Sequence, residues 1–443
     1  MPRSDFVSPY TPNTFDDRRR MLDAIGVSSS DDLFQDIPSE YLNPSLDLPP
    51  PASEFDLRRE IEAMAKQNAV PGDYACFLGA GSYRHHVPSV VRQVAGRSEF
   101  MTSYTPYQPE VSQGTLQAHY EFQSMVCQLT GMEVANSGMY DGATSLAESA
   151  LMAARITKRD RVTVLDTVSP RYLAVLQTYF QGLGVQIDTL PRTGVSVSDQ
   201  TACLIVQQPR FLGELEDLDE LSEIAHKSGA LFIVSADPVA LGMFKPPGEF
   251  DADIVVAEGQ SLGIAPTFGG PYVGIFACKE RHIRQMPGRI VGKTTDDQGR
   301  TGYVLTLQTR EQHIRRERAT SNICTSVGLI ALMSTIFMAA YGKDGLRHLA
   351  QLCYHKAHYA ASHINKVPGY KMVTAGPFFR EFVVECPVSP IYINERLLDY
   401  GIIGGLDVSD QIPKGMLVCC TDVNTKEEID SLASALAEIG GAV

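Results

Sequence analysis

Along the middle of the chain two hydrophobic periods take turns. Apolar residues spaced three and four apart predict helices over 116–130, 142–156, 170–181 and 218–227. Between them, short β-branched runs bounded by Gly, Pro and polar clusters predict strands at 161–165, 185–187, 204–207, 231–235 and 253–256, with a further run ending at Cys278. Strands alternating with helices of this length predict an α/β fold, a mostly parallel sheet with helices on both faces. In such sheets ligands gather at the carboxyl ends of the strands.

The flanks read differently. Helical signals at 16–25 and 30–35 lead to Pro49-Pro50-Pro51, and a stripe of Leu57, Ile61, Met64 and Ala65 predicts a helix over 54–68 that Pro71-Gly72 closes. This segment has little core of its own and is expected to lie across a larger body or a partner. From Phe77 to Glu110, Gly, Pro, Tyr and polar residues crowd together without a sustained period, which predicts a long binding loop. Residues 306–340 read as helical and lead into a smaller α+β region, with a helix up to Lys366, strands at 381–385 and 416–420 around a helix at 391–400, and a last helix over 427–439. The expected organisation is an amino-terminal helical arm (1–70), a large α/β domain (71–340) and a small carboxy-terminal domain (341–443).

Composition narrows the class. With 443 residues, 44% hydrophobic and 20% charged, the chain reads as an ordinary soluble globular protein. A net charge of −14 argues against nucleic acid or an anionic membrane as partner. Arg18-Arg19-Arg20 follows Asp16-Asp17 and reads as a solvated helix face. Residues 1–30 hold no apolar signal region, and the most apolar stretch, 327–340, contains Ser334 and Thr335 and is shorter than the roughly 20 residues a membrane span requires. Nine cysteines without a CxxC pair predict reduced thiols and a cytoplasmic setting.

Candidate chemistry centres on two strand ends. Asp237 follows one apolar run, and Glu258-Gly259-Gln260-Ser261 follows the next, ahead of a Gly269-Gly270-Pro271 turn. A pyridoxal-phosphate (PLP) site has this layout, with an Asp for the pyridinium nitrogen and a Lys past the next strand for the Schiff base. The Asp is present, but position 260 is Gln. Ser137 and Gly138, in the segment that opens the Ala-rich helix, are the candidate phosphate cradle; ordinary N-capping is the alternative. Asp237 has an alternative role as well, pairing with a neighbouring helix start. Arg380 precedes a strand where a carboxylate-binding Arg would fit, although a surface ion pair is the commoner outcome. Gly288 to Thr294 falls one residue short of a P-loop. His85-His86 lacks acidic or Cys partners at ligand spacing, so no metal site is expected, and His355 and His358 read as surface residues.

Several long stretches in one order make the chain resemble the glycine-cleavage P-proteins, and among them the amino-terminal (alpha) subunit of the two-subunit form. They are 21–38, 77–88, 104–125, 136–153, 252–274 and 301–324 (TGYVLTLQTREQHIRRERATSNIC). The resemblance implies a fold type I PLP-transferase architecture in which two homologous halves pair and only one carries PLP on a Lys. That Lys position, nine residues before Gly269, is Gln260 here, and the preceding Gly259 stands where the catalytic half has His. Thr167-Val-Ser-Pro170 also lacks the imidazole that active relatives place over the ring. The resemblance therefore implies a chain with no covalently bound cofactor and a vestigial pocket at Ser137, Gly138, Asp237, Gln260, Gly269 and Gly270. PLP would sit on a partner, P-protein subunit 2, in an α2β2 assembly that decarboxylates glycine and hands the aminomethyl group to the lipoyl arm of the H-protein. Fold type I sites borrow a loop from the neighbouring subunit. Residues 104–113 are the candidate, with Tyr104 and Tyr107 walling the channel and Gln108 and Glu110 offering polar groups. The competing expectations are a free-standing PLP enzyme using another lysine, such as Lys245 or Lys279, and a pure scaffold.

Overall fold

The structure, a computed structural model, describes residues 10, 13–42, 44–321, 323–324 and 326–441. It falls into two compact units, Met1–Asn68 and Ala69–Val443. In the first, helix Phe15–Ile25 opens on a capping box between Thr14 and Asp17 and stops at Gly26, whose φ of 87° suits glycine. Helix Glu54–Ala65 is capped by Ser53. Neither helix has a buried residue, and Leu57, Ile61 and Met64 of the expected stripe are all more than half exposed.

The larger unit is built on a seven-stranded sheet. Its order is Val134–Ala135, Gly274–Cys278, Ile254–Glu258, Leu231–Ala236, Thr201–Gln208, Arg161–Leu165 and Gln186–Leu190. The last five run parallel, while Gly274–Cys278 is antiparallel to both of its neighbours. Consecutive side chains alternate between two cores. Leu204, Val206, Phe232, Val234 and Val255 pack on one face, and Cys203, Ile205, Ile233, Ile254 and Val256 on the other. Both faces are dry, which is why these strands read as unbroken apolar runs. Helices Gln113–Thr130, Gly142–Thr157, Pro170–Phe180 and Leu218–Lys227 lie close to the predicted bounds. Among the described residues no helix is long and apolar enough to cross a membrane.

A smaller antiparallel sheet, ordered Lys371–Met372, Glu381–Glu385, Gly415–Cys419 and Leu406–Asp407, packs with Pro390–Leu397 and Lys426–Gly441 around Phe382, Val384, Ile393, Val418 and Leu436. Strand Ala75–Cys76 pairs with Ile402–Ile403, and Phe77 joins the same core, so residues 75–77 sit with the carboxy-terminal elements.

Two stretches differ from the periodicity reading. The described residues of 306–327 do not form a continuous helix. Ile290–Thr295 and Thr301–Thr306 form an antiparallel hairpin, short turns follow, and the helix begins only at Gly328. The hairpin is held from outside its own sequence. The Gln123 side chain accepts from Val291 N–H at 2.9 Å and donates to its carbonyl at 3.0 Å. The Arg310 guanidinium then gathers the carbonyls of Met286, Gly288 and Leu307, bending the chain instead of letting a helix continue. Within Gly328–Ile364 the run breaks at Gly342, where φ is 61° and ψ −175°. The second difference is in the loop 77–110, which also holds short helices Ser89–Ala95 and Ser98–Met101 that its polar composition hid.

One close approach ties the two sheets together. Gly213, with φ 100°, lies against the backbone of Glu381, and an added Cβ would stand 2.0 Å from the Glu381 carbonyl oxygen. Gly213→Ala is expected to lower stability by on the order of 3 kcal/mol, read as the shift in a denaturant unfolding curve; an unchanged midpoint would mean that this contact relaxes freely.

Candidate functional site

Strands Leu231–Ala236 and Ile254–Glu258 run side by side with Ala236 opposite Ala257, so Asp237 and Gln260 leave the sheet at the same edge. Asp237 turns one oxygen back on its own chain, accepting from Val239 N–H at 2.9 Å and Ala240 N–H at 3.4 Å. Its other oxygen forms an ion pair with Arg380. Arg380 is therefore not a surface residue. It is 1% exposed, its guanidinium carbon lies 3.4 Å above the Tyr83 ring, and it donates to His85 Nε2 at 2.7 Å. With Nε2 accepting, the His85 proton is on Nδ1, which donates to Asp422 at 2.6 Å. Burial lowers the His85 pKa and keeps the ring neutral.

Gln260 is fully buried and uses both ends of its amide. Its oxygen accepts from Tyr83 N–H at 2.7 Å, and its nitrogen donates to the carbonyls of Tyr83 at 2.8 Å and Ile264 at 2.6 Å. A lysine ammonium has donors only and could not accept from Tyr83. Tyr83 is pinned further through its hydroxyl, which donates to Glu381 at 2.8 Å, and Ala80 N–H reaches the other Glu381 oxygen at 2.6 Å.

A carboxyl group stands at the start of the Ala-rich helix. Glu258 accepts from Gly142 N–H at 2.9 Å and from Gln260 N–H at 3.0 Å, while Asp141 caps Thr144 N–H at 2.8 Å. Glycine is required at 142, since a Cβ would meet the Tyr172 hydroxyl at 2.6 Å and the Glu258 backbone at 2.9 Å. The amides proposed as a phosphate cradle are used internally: Ser137 donates through both N–H and hydroxyl to the Arg289 carbonyl, and Gly138 N–H donates to Asn136. Gly269 is exposed and Gly270 half-buried, and neither lines the cavity beside Asp237. What remains open between Asp237, Gln260, Tyr83 and Arg380 is a cavity of about 50 Å³, room for about four waters. These residues do not fit a Schiff-base cofactor, because its pyridinium partner, lysine position and anion cradle are all engaged by the chain itself.

The other sequence candidates lie elsewhere. Tyr104 is 76% and Tyr107 49% exposed, and Gln108 and Glu110 are exposed beside them. Gln113 anchors this loop to the hairpin, donating to the carbonyls of Pro109 and Tyr303 and accepting from Tyr303 N–H. Lys279 is held by Asp251 at 2.7 Å and Asp253 at 2.9 Å, and Lys245 lies over the Phe250 ring; neither lines the Asp237 cavity. His355 is exposed, but His358 is half-buried and stacked on Phe378 at 3.9 Å, contrary to the surface expectation. His85, Cys353 and Asp422 bring donor atoms within 4.8 Å of one another. The Arg380 guanidinium points into the same His85 ring, and burial pushes the Cys353 thiol up to about 12, so the group is a poor metal site. Sequence reading missed Tyr83, Glu258 and Asp422, whose roles depend on partners far away along the chain.

Burial pushes the Glu258 carboxyl up to about 8, against the two backbone N–H groups that favour its ionised form. Its folded pKa then lies above the unfolded value of 4.5, so its contribution to stability is complete below that value and is lost as pH rises through 8. Glu258→Gln is expected to flatten the fall in stability between those limits, measured as melting temperature against pH; identical slopes for both proteins would remove Glu258 as the cause.

Comparison with known proteins identifies the family. The family model of the glycine cleavage system P-protein matches residues 8–436. A probable glycine dehydrogenase (decarboxylating) subunit 1 of Thermomicrobium roseum is 52% identical, covering 97% of this chain and 99% of the relative. Its counterpart in Chlorobaculum tepidum is 50% identical over 98% of this chain and all of the relative. Among solved structures, an inhibitor-bound glycine decarboxylase (P-protein) of the glycine cleavage system superposes with a TM-score of 0.93 at 45% identity, covering 98% of this chain and 100% of that one. A Burkholderia pseudomallei sphingosine-1-phosphate lyase, at 14% identity and a TM-score of 0.63, shares the fold alone, covering 90% of this chain and 93% of its own. The fold is that of the fold type I PLP-dependent enzymes, and the chain belongs to the glycine cleavage system P-protein family, among the relatives called subunit 1.

Proposed function

We propose that this chain is the cofactor-free subunit of a two-subunit glycine decarboxylase. Its partner, subunit 2, carries PLP, and two copies of each form an α2β2 assembly that takes glycine, releases CO2 and passes the aminomethyl group to the lipoyl arm of the H-protein. The observation that carries the reading is Gln260, which is buried and uses both ends of its amide where a Schiff-base lysine would stand. When bound on the partner, PLP supplies the electron sink. The work left to this chain is to shape the channel and exclude water. Tyr104 and Tyr107 offer aromatic walls, Gln108 and Glu110 offer polar groups, and Arg289 backs Tyr107 with its guanidinium carbon 5.5 Å from the ring centre. Met101, Tyr104, Tyr107 and Val111 leave a cluster of large apolar side chains exposed on one short segment, as a surface awaiting a partner would. The proposed compartment is the cytoplasm, a reducing setting for the chain's nine cysteines.

Two measurements test this. The purified chain, incubated with PLP and reduced with borohydride, is expected to show no labelled lysine on peptide mapping, and glycine decarboxylation is expected to require added subunit 2. Stoichiometric labelling of one lysine would make the chain an enzyme in its own right. In the reconstituted complex Tyr107→Ala is expected to leave assembly intact and slow turnover about tenfold or more. Normal turnover would remove the loop from the active site.

A further inference from the structure

We propose that the chain carries a binding site for a phosphate group, free or as the monoester of a small molecule. It lies in a basic cavity between the turn Glu280–Gln285 and the short turns that follow the hairpin. The cavity measures about 240 Å³. That is just under the roughly 300 Å³ at which pockets for drug-sized ligands begin, a size for a small anion. None of its lining residues belongs to the loop 104–113 or to the cavity beside Asp237, and all of them come from this chain.

Three arginines and no carboxylate line the space, with Thr309, Thr320 and Gln285 completing its polar lining. Arg310 is buried at 6% exposure, while Arg284 and Arg315 are exposed. Arg310 spends its N–H groups on the carbonyls of Met286, Gly288 and Leu307, which satisfy its hydrogen bonds and leave its charge unbalanced. Among the described residues no carboxylate pairs with it. The adjacent Glu311 turns instead to Arg289 and His313, at 3.8 Å from each. A charge taken out of water normally has a counter-ion. The Arg284 and Arg315 side chains form no hydrogen bond or ion pair among the described residues either. One exposed, unpaired arginine is an ordinary solvated side chain. Two of them meeting an unbalanced buried one on a single cavity make a site.

The charge pattern along the chain supplies the second observation. Residues 281–318 hold nine Lys and Arg against four Asp and Glu, in a chain whose net charge is −14. Arg316, beside Arg315, is exposed and unpaired among the described residues as well. A positive recess on an acidic protein draws anions to one place, because the rest of the surface repels them. A phosphate dianion suits this recess better than a single carboxylate. Its several terminal oxygens let more than one guanidinium fork onto it, and its charge balances more of theirs.

The test uses the full-length chain titrated at constant ionic strength with inorganic phosphate and with phenyl phosphate, acetate serving as the singly charged control. Saturable binding of one equivalent of phosphate is expected, with a rise in melting temperature as the site fills. Arg315→Gln and Arg284→Gln are each expected to weaken binding about tenfold or more. Both side chains are exposed and unpaired, so both variants are expected to melt like the wild type when no ligand is present. Tighter binding of phenyl phosphate would assign the site to a phosphate monoester, and tighter binding of inorganic phosphate to the free anion. Binding that never saturates, acetate binding as tightly as phosphate, or a wild-type affinity in either variant would each overturn the proposal.

Discussion

A guanidinium at 1% exposure has to be paired, and the way Arg380 is paired organises everything around it. Its carboxylate, Asp237, ends a strand of the seven-stranded sheet, while Arg380 itself precedes a strand of the small antiparallel sheet. Its stacking partner Tyr83 and its acceptor His85 come from the segment that connects the chain's entry to both. Three regions distant in sequence therefore meet on one buried charge. The carboxyl edge of the large sheet is thereby joined to the small antiparallel sheet. Removing either partner would leave an uncompensated charge in a dry site, which makes the arrangement hard to reverse one residue at a time.

The same logic extends to the neutral groups. Gln260 meets a backbone donor and two backbone acceptors, a combination that an amide satisfies and an ammonium cannot. Glu258 fills the helix start that an anion would otherwise occupy, and the Ser137 and Gly138 amides are spent on their own neighbours. Gln260, Glu258 and Ser137 thus spend their polar groups on partners within the chain.

Legibility in the sequence followed burial and range. The strand Arg161–Leu165 and the helix Leu218–Lys227 were readable to the residue, because their patterns report what lies on each face. The hairpin from Ile290 to Thr306 was not, since Gln123 and Arg310 hold it through contacts that no local period reports. Arg380 was readable as an arginine before a strand, but its burial was not. Ser137 was readable as a small residue at a helix entrance, while the carbonyl that occupies it, that of Arg289, lies far along the chain.

What the sequence determined by itself is the alternating fold, the absence of a lysine at position 260 and the family likeness, because each is written in residue type and local spacing. Which groups Asp237 and Gln260 meet, and whether the amides of Ser137 and Gly138 are free, were decided only by the tertiary structure. Those questions concern which donor meets which acceptor. The partners can lie more than 300 residues apart, as with His85 and Asp422 at a separation of 337. Only folding brings them within hydrogen-bond reach.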